Sequence, residues 1–258
     1  MPDPRNLVDA INGAFESAIN RGFFIRTPLF WRDYDRVFPE LRELEKSFPA
    51  IRAECEELLR IGEDIPTLES VGGQYTKGGV HSIQWKSYKL KLGDFVEENC
   101  ARCPETAKAL AKVPKAYLAF FSILFPGQHI RPHFGYYKGC LRYHLGLIIP
   151  EGDENETCWL RVNGDPDDNA KRDKSTIDRG EVYNWTEGEG VIFDDTLLHE
   201  ASNDTDGIRV VLFVDVRRPL PLLIDWVHRV CVWLALKHPI VRKVRNGAVV
   251  ETGNGQPG

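Results

Sequence analysis

Between residues 39 and 61, apolar side chains at Leu41, Leu44, Phe48, Ile51, Cys55, Leu58 and Leu59 recur at intervals of three and four, with Glu and Arg between them. That spacing predicts a helix with one apolar face. A shorter amphipathic stretch, residues 7–19, predicts another helix before it. The Gly-rich residues 70–79 break the pattern, alternation over residues 82–92 predicts a strand, and residues 105–112 read as a further helix. The texture then changes to short runs rich in β-branched and aromatic residues, at 117–125, 141–149, 157–162, 190–193 and 209–216, cut by Pro126 and Gly127, by Pro150 and Gly152, and by Gly188. Closely spaced strands of this kind predict a sandwich or barrel. Residues 163–184 are too hydrophilic for a core and read as a long surface loop with the dimensions of a lid.

The last patterned segment, residues 222–236, is apolar over most of its circumference, with Asp225, His228 and Arg229 at i, i+3 and i+4. It is too short to span a bilayer comfortably. Packing against the barrel or a partner subunit is the plain reading. The basic residues Lys237, Arg242, Lys243 and Arg245 that follow make peripheral membrane contact through 222–236 the alternative. The organisation expected is an N-terminal helical segment over 1–70, a strand-rich domain over 71–219, an apolar helix within 220–245 and a flexible tail over 246–258.

Composition narrows the classes. The 258 residues suffice for one large domain or two small ones, and 42% hydrophobic with 28% charged residues excludes collagen-like, disordered and coiled-coil chains. A net charge of -5 removes the broad basic surface that nucleic-acid binding needs, so no nucleic-acid partner is expected. The six cysteines are scattered, and the first residues lack a basic stretch followed by an apolar core, which predicts a cytoplasmic protein with reduced thiols. Cys100 and Cys103 have the spacing of half a zinc site or a redox pair, but nothing completes it. Sequons at Asn155, Asn184 and Asn203 read as chance matches.

Three histidines, His133, His144 and His199, lie in the strand-rich part. Arg142 and His144 are two apart on a predicted strand and share a face, while Tyr143, Leu145 and Leu147 take the other. Arg209, Val211 and Phe213 likewise share a face. Arginine and histidine pointing into a barrel need an anion or a metal, because an unpaired buried guanidinium is costly. The interior is therefore expected to hold a carboxylate.

The order and spacing of His133, His199 and Arg209 resemble those of Fe(II)/2-oxoglutarate enzymes. PGQHIRPHFG at 126–135, LRYHLGLIIP at 141–150, WTEGEGVIFDDTLLHEASN at 185–203 and RVVLFVDVRRP at 209–219 together resemble the aspartyl/asparaginyl β-hydroxylase family, over about half the chain from Trp85 onwards. The resemblance implies a mainly β fold with helical cladding around a double-stranded β-helix (jelly-roll, cupin-like) core. It also implies Fe(II) and 2-oxoglutarate as cofactors, with dioxygen as cosubstrate. His133 and His199 would be the metal ligands. Most such enzymes add a carboxylate two residues after the first histidine; here that position is Gly135, a departure the family shares. Asp195 would hydrogen-bond an iron-bound water as a catalytic residue. Arg209 with the Ser122 hydroxyl would hold the distal carboxylate of 2-oxoglutarate, and Arg142 with His144 would lie beside its iron-bound end.

The implied function is hydroxylation of an unactivated carbon with release of succinate and carbon dioxide. The alternatives are a halogenase of the same superfamily, which also lacks the carboxylate, and a non-catalytic metal-binding barrel or sensor. Family members acting on acidic side chains carry an additional arginine just upstream of the tryptophan matching Trp85. Residues 78–84 hold none, leaving Lys77, His81 and Lys86 as candidate anion partners. Aspartyl/asparaginyl-type, peptide, small-molecule and lipid acyl-chain substrates stay open.

Overall fold

A computed structural model describes residues 4–23, 26–61, 65–67, 85–152, 157–236 and 249. The Gly-rich stretch 70–79, Lys77, His81, the start of the strand predicted from residue 82, the sequon at Asn155, the basic residues of 237–245 and nearly all of the tail lie outside the described residues.

In chain order the elements are α1 (Pro4–Asn20), a 3-10 turn (Pro39–Leu41), α2 (Arg42–Lys46), α3 (Phe48–Arg60), β1 (Trp85–Leu92), β2 (Asp94–Phe95), α4 (Glu97–Arg102), α5 (Pro104–Ala111), β3 (Ala116–Leu124), β4 (Gln128–His133) and β5 (Cys140–Ile148). They continue with β6 (Cys158–Asn163), α6 (Pro166–Lys171), a 3-10 helix (Lys174–Arg179), β7 (Glu181–Asn184), β8 (Gly190–Phe193), β9 (Leu198–Asn203), β10 (Arg209–Arg217) and α7 (Leu222–Leu236).

The strands form two antiparallel sheets, one ordered β2-β1-β3-β10-β5-β8 and the other β4-β9-β6-β7. From β3 onward the chain passes back and forth between the sheets, which is the winding of a double-stranded β-helix. Period-two alternation builds both cores. On β5 and β10, Tyr143, Leu145, Leu147, Val210, Leu212 and Val214 face outward from the barrel and pack under Phe38, Leu41, Leu44, Ile51 and Leu58 of the helical layer. Between the sheets, Leu124, Val211 and Phe193 of the large sheet meet Ile130, Leu160, Val162 and Ala201 of the small one.

Three local outcomes differ from the pattern reading. The helix predicted over 39–61 is interrupted at Ser47, because Pro49 cannot donate an amide and occupies the first turn of a new helix, α3. The hydrophilic stretch 163–184 is not a bare loop. Two of its aspartates are caps: the Asp165 carboxylate accepts from the amides of Asp167 and Asp168 to start α6, and Asp173 accepts from Ser175 to start the 3-10 helix. Strands β4, β7 and β9 form where no apolar alternation announces them.

Cys103 is buried and the half-buried Cys100 thiol donates to the Leu90 carbonyl, with burial pushing its pKa up to about 11; the pair packs beneath β1 as structural thiols. The Asn203 side chain is buried, donating to the carbonyls of Leu124, Phe125 and Gly207, so that sequon is closed inside the fold. Among the described residues no helix is long and apolar enough to cross a membrane.

Candidate active site

Strands β4 and β9 are neighbours in the small sheet, and their register sets His133 directly opposite His199. The two rings lie 4.1 Å apart, centroid to centroid, at an interplanar angle of 50°. Each Nδ1 is 2.8 Å from the carbonyl oxygen two residues earlier, Arg131 for His133 and Leu197 for His199. Each Nδ1 therefore carries the proton and donates it to the backbone, and each Nε2 is left with its lone pair. Burial also keeps the rings uncharged: it pushes the pKa of His133 down to about 4 and that of His199 well below the usual range. Two neutral, oriented imidazoles on adjacent strands are what a divalent metal requires of nitrogen donors.

The sequence has glycine where a third protein ligand is common, and the structure shows what takes the space. The Gly135 amide donates to the Asp195 carbonyl at 2.7 Å, and a Cβ placed on Gly135 would fall onto the Asp195 carboxylate. Asp195 is held from the other side by Arg142, whose Nη2 lies 2.8 Å from Oδ2. Arg142 in turn binds Asp215, its cross-strand partner on β10, through Nε at 3.0 Å and Nη2 at 3.2 Å. Its guanidinium also lies 4.1 Å over the Phe213 ring. Arg142 thus faces the interior as its strand parity predicts, but its charge is already engaged by two carboxylates.

Arg209 is different. It is 1% exposed, has no ion-pair partner among the described residues, and its Nε and Nη1 are buried without a hydrogen bond. The guanidinium rests 4.6 Å over the Trp185 ring, and burial pushes its pKa down to about 10, which leaves it charged at neutral pH. Ser122, on the neighbouring strand β3, accepts from the Trp85 indole at 2.9 Å, so its own hydroxyl proton is free to be donated. His144 is buried among Trp185, Phe193 and Phe213 with both ring nitrogens unpartnered, and burial holds it neutral.

Ser122, His133, Arg142, His144, His199 and Arg209 all line one small cavity of about 30 Å³ between the sheets. Of the residues assigned catalytic, cofactor or metal roles from the sequence, Asp195 is the one not on its wall, standing behind Gly135 and Arg142, and the candidate anion partner Lys86 is not on the wall either. Pattern reading missed Asp215, Trp185 and Trp85 as parts of the site. The parity that places Arg209 and Phe213 inside also places Asp215 there, beside Arg142. Nothing comparable flags the two tryptophans, because each is also an ordinary core residue. Among the described residues, no three His, Cys, Asp or Glu side chains are grouped to hold a metal ion, so the available protein donors are the two imidazoles.

The sequence profile described as Aspartyl/Asparaginyl beta-hydroxylase matches residues 45–219. A protein of Rhizobium tropici named ornithine lipid ester-linked acyl 2-hydroxylase is 39% identical over 212 residues, covering 81% of this chain and 69% of that protein. The human aspartyl/asparaginyl beta-hydroxylase is 28% identical over 221 residues, covering 80% of this chain and 25% of that protein. The human aspartate beta-hydroxylase domain-containing protein 2 is 30% identical over 203 residues. This covers 75% of the chain and 48% of that relative, so the chain spans from a quarter to about two thirds of the lengths of these proteins. Among solved structures, a Trichoplax adhaerens prolyl hydroxylase in complex with a peptide fragment aligns at 9% identity and a TM-score of 0.43, covering 82% of this chain and 91% of that one. The fold assignment rests on the strand order and not on that likeness.

Proposed function

Because this chain belongs to the aspartyl/asparaginyl β-hydroxylase family, we propose that it is an Fe(II)/2-oxoglutarate-dependent hydroxylase whose substrate is a lipid-borne acyl chain. The observation that carries the reading is the pairing of His133 and His199 across β4 and β9, both with Nδ1 bonded to backbone, in the same cavity as the unpaired guanidinium of Arg209. The donor set fits the group: His133 and His199 would hold the iron through Nε2. When bound, iron with 2-oxoglutarate and dioxygen supplies the oxidising power to convert a C–H bond to C–OH, while 2-oxoglutarate becomes succinate and carbon dioxide.

The protein's own contribution is placement and exclusion. Arg209, with the Ser122 hydroxyl beside it, supplies charge and a donor for the far carboxylate of the diacid, replacing the unmet hydrogen bonds of a buried cation. His144, neutral and without protein partners, offers a further donor to the cosubstrate. Arg142 acts as a positioning residue: anchored on Asp215, it fixes Asp195 against Gly135. Phe193, Phe213 and Trp185 keep water from the pocket between the sheets.

Two observations favour this reading over the alternatives. A halide at the metal would need the space opposite Gly135, which the Asp195 carboxylate fills. A non-catalytic barrel has no use for a buried, unpaired arginine, which only destabilises the fold. Support for an acyl substrate comes from the relative named an ornithine lipid ester-linked acyl 2-hydroxylase and from the lack of arginine in residues 78–84. The test is succinate release from purified protein supplied with Fe(II), 2-oxoglutarate and air, screened against ester-linked acyl lipids, peptides containing Asp or Asn, and free amino acids. Stimulation by the acyl lipids with a mass gain of one oxygen is expected. Stimulation only by the peptides would overturn the substrate class, and oxygen-independent behaviour throughout would overturn the activity.

A further inference from the structure

Helix α7 has two unlike faces. On the inner one His228 is buried, its Nδ1 2.7 Å from the Tyr137 hydroxyl and its ring stacked on Tyr137 at 5.5 Å, with Phe15 of α1 and Tyr117 of β3 around it. Asp225 pairs with Arg217 at the end of β10 at 3.1 Å, and Leu236 covers Gly93. On the outer face Leu222, Trp226, Val230 and Trp233 follow one another at i, i+4, i+8 and i+11, and they are 91%, 64%, 38% and 55% exposed. Arg229, also exposed, borders them. Two tryptophans and two aliphatic residues on one partly exposed arc form a surface that water does not favour.

We propose that this face of α7 docks in the headgroup region of an anionic phospholipid bilayer and that the acyl substrate enters the barrel from there. The proposal rests on the acyl-chain reading given above and extends it to how the substrate arrives. Charge selects the occupant. In a chain of net charge -5, the nine residues that follow the helix, KHPIVRKVR, hold Lys237, Arg242, Lys243 and Arg245 and no acidic residue. Anionic lipid attracts such a run, whereas a second copy of this chain would set like charges against each other. Tryptophan is the side chain best suited to the boundary between headgroup and acyl chain, and a helix too short to span can still lie along it. The inner face ties the helix to the segment that follows His133. Tyr137 belongs to residues 134–139, which join His133 at the end of β4 to β5 and include Gly135. The Asn12 side chain of α1 clamps the same segment, donating to the Tyr136 carbonyl at 3.0 Å and accepting from the Lys138 amide at 2.8 Å.

The experiment is co-sedimentation of the full chain with vesicles of phosphatidylcholine alone or mixed with phosphatidylglycerol, without iron or 2-oxoglutarate. Binding to the phosphatidylglycerol vesicles is expected, and added salt should weaken it. The double variant Trp226→Ser, Trp233→Ser should bind roughly tenfold or more weakly in samples whose cooperative urea unfolding transition shows them folded. Arg229→Glu should reduce binding to the anionic vesicles. Equal binding by wild type and the double variant, or no binding at low salt, overturns the proposal. So does a dimer in analytical ultracentrifugation that the double variant dissociates, which would give the face to a second copy. Failure of this proposal and failure of the hydroxylase reading are separable. Succinate release on detergent-dispersed acyl lipid by a chain that ignores vesicles removes only the docking, and vesicle binding by a chain that releases no succinate removes only the activity.

Discussion

A charged guanidinium that is 1% exposed and meets no carboxylate among the described residues destabilises the protein unless something else completes it, and Arg209 is such a group. Replacing it with alanine removes the proposed anchor for the diacid without touching either imidazole. The expected result for Arg209→Ala is a rise in the 2-oxoglutarate requirement of about a hundredfold, from the loss of a charge-assisted bidentate contact, with Fe(II) affinity unchanged. Steady-state succinate kinetics and anaerobic iron titration check the two halves, and an unaltered 2-oxoglutarate requirement would refute the role. Gly135 makes a second case at this scale. A methyl group there collides with a carboxylate fixed by Arg142, so Gly135→Ala should lower stability by about 1–3 kcal/mol in urea unfolding and disturb Asp195. Restoring the common carboxylate with Gly135→Asp should fail for the same reason. Strand parity reveals the interior direction of Arg142, His144 and Arg209, but not that Arg142 is satisfied by Asp195 and Asp215 while Arg209 is not. That depends on a cross-strand register no local pattern encodes.

Among the elements, the strands that bear the candidate metal ligands are the ones alternation does not reveal. β4 reads QHIRPH, with a proline inside it, and β9 reads LHEASN, all six residues buried despite four polar side chains. Chemistry has replaced the apolar residues that mark a strand, so only the resemblance of the surrounding motifs found them, whereas β3, β5, β8 and β10 were legible from their β-branched and aromatic runs. β1 shows the opposite failure. Its alternation suggests solvated lysines, yet the strand extends the large sheet with both faces covered, and Lys89 is buried over Phe120 with Ser87 as its hydrogen-bond partner at 2.7 Å. Burial pushes the Lys89 pKa down to about 8. Because the folded chain binds that proton less tightly than the unfolded chain, stability should rise with pH between about 8 and the ordinary lysine value near 10.4. At neutral pH, Lys89→Met should raise stability by roughly 1–3 kcal/mol in urea unfolding. A loss of stability in that variant would show that the ammonium is satisfied in a way the fold does not reveal.

For the molecule as a whole, helices clad one face of the large sheet, and the other face closes on the small sheet around a cavity that concentrates neutral histidine and unpaired arginine. Overall acid sensitivity follows. His133, His144 and His199 are kept neutral by burial, which pushes His133 down to about 4 and His144 and His199 well below the usual range, while their unfolded counterparts titrate near 6.5. As pH falls through 6.5 the unfolded chain takes up protons that the folded chain refuses, so stability should drop progressively toward about pH 4. A metal-free urea midpoint that is the same at about pH 7 and about pH 5 would contradict this. The most direct test of the shared metal centre is anaerobic equilibrium dialysis of the chain against Fe(II) in the presence of 2-oxoglutarate. One iron per chain is expected for the wild type and for Lys89→Met, falling about a hundredfold or more in affinity for His133→Ala and for His199→Ala, both still folded. Undiminished iron binding by either histidine variant would contradict the assignment of these two residues to a single ion.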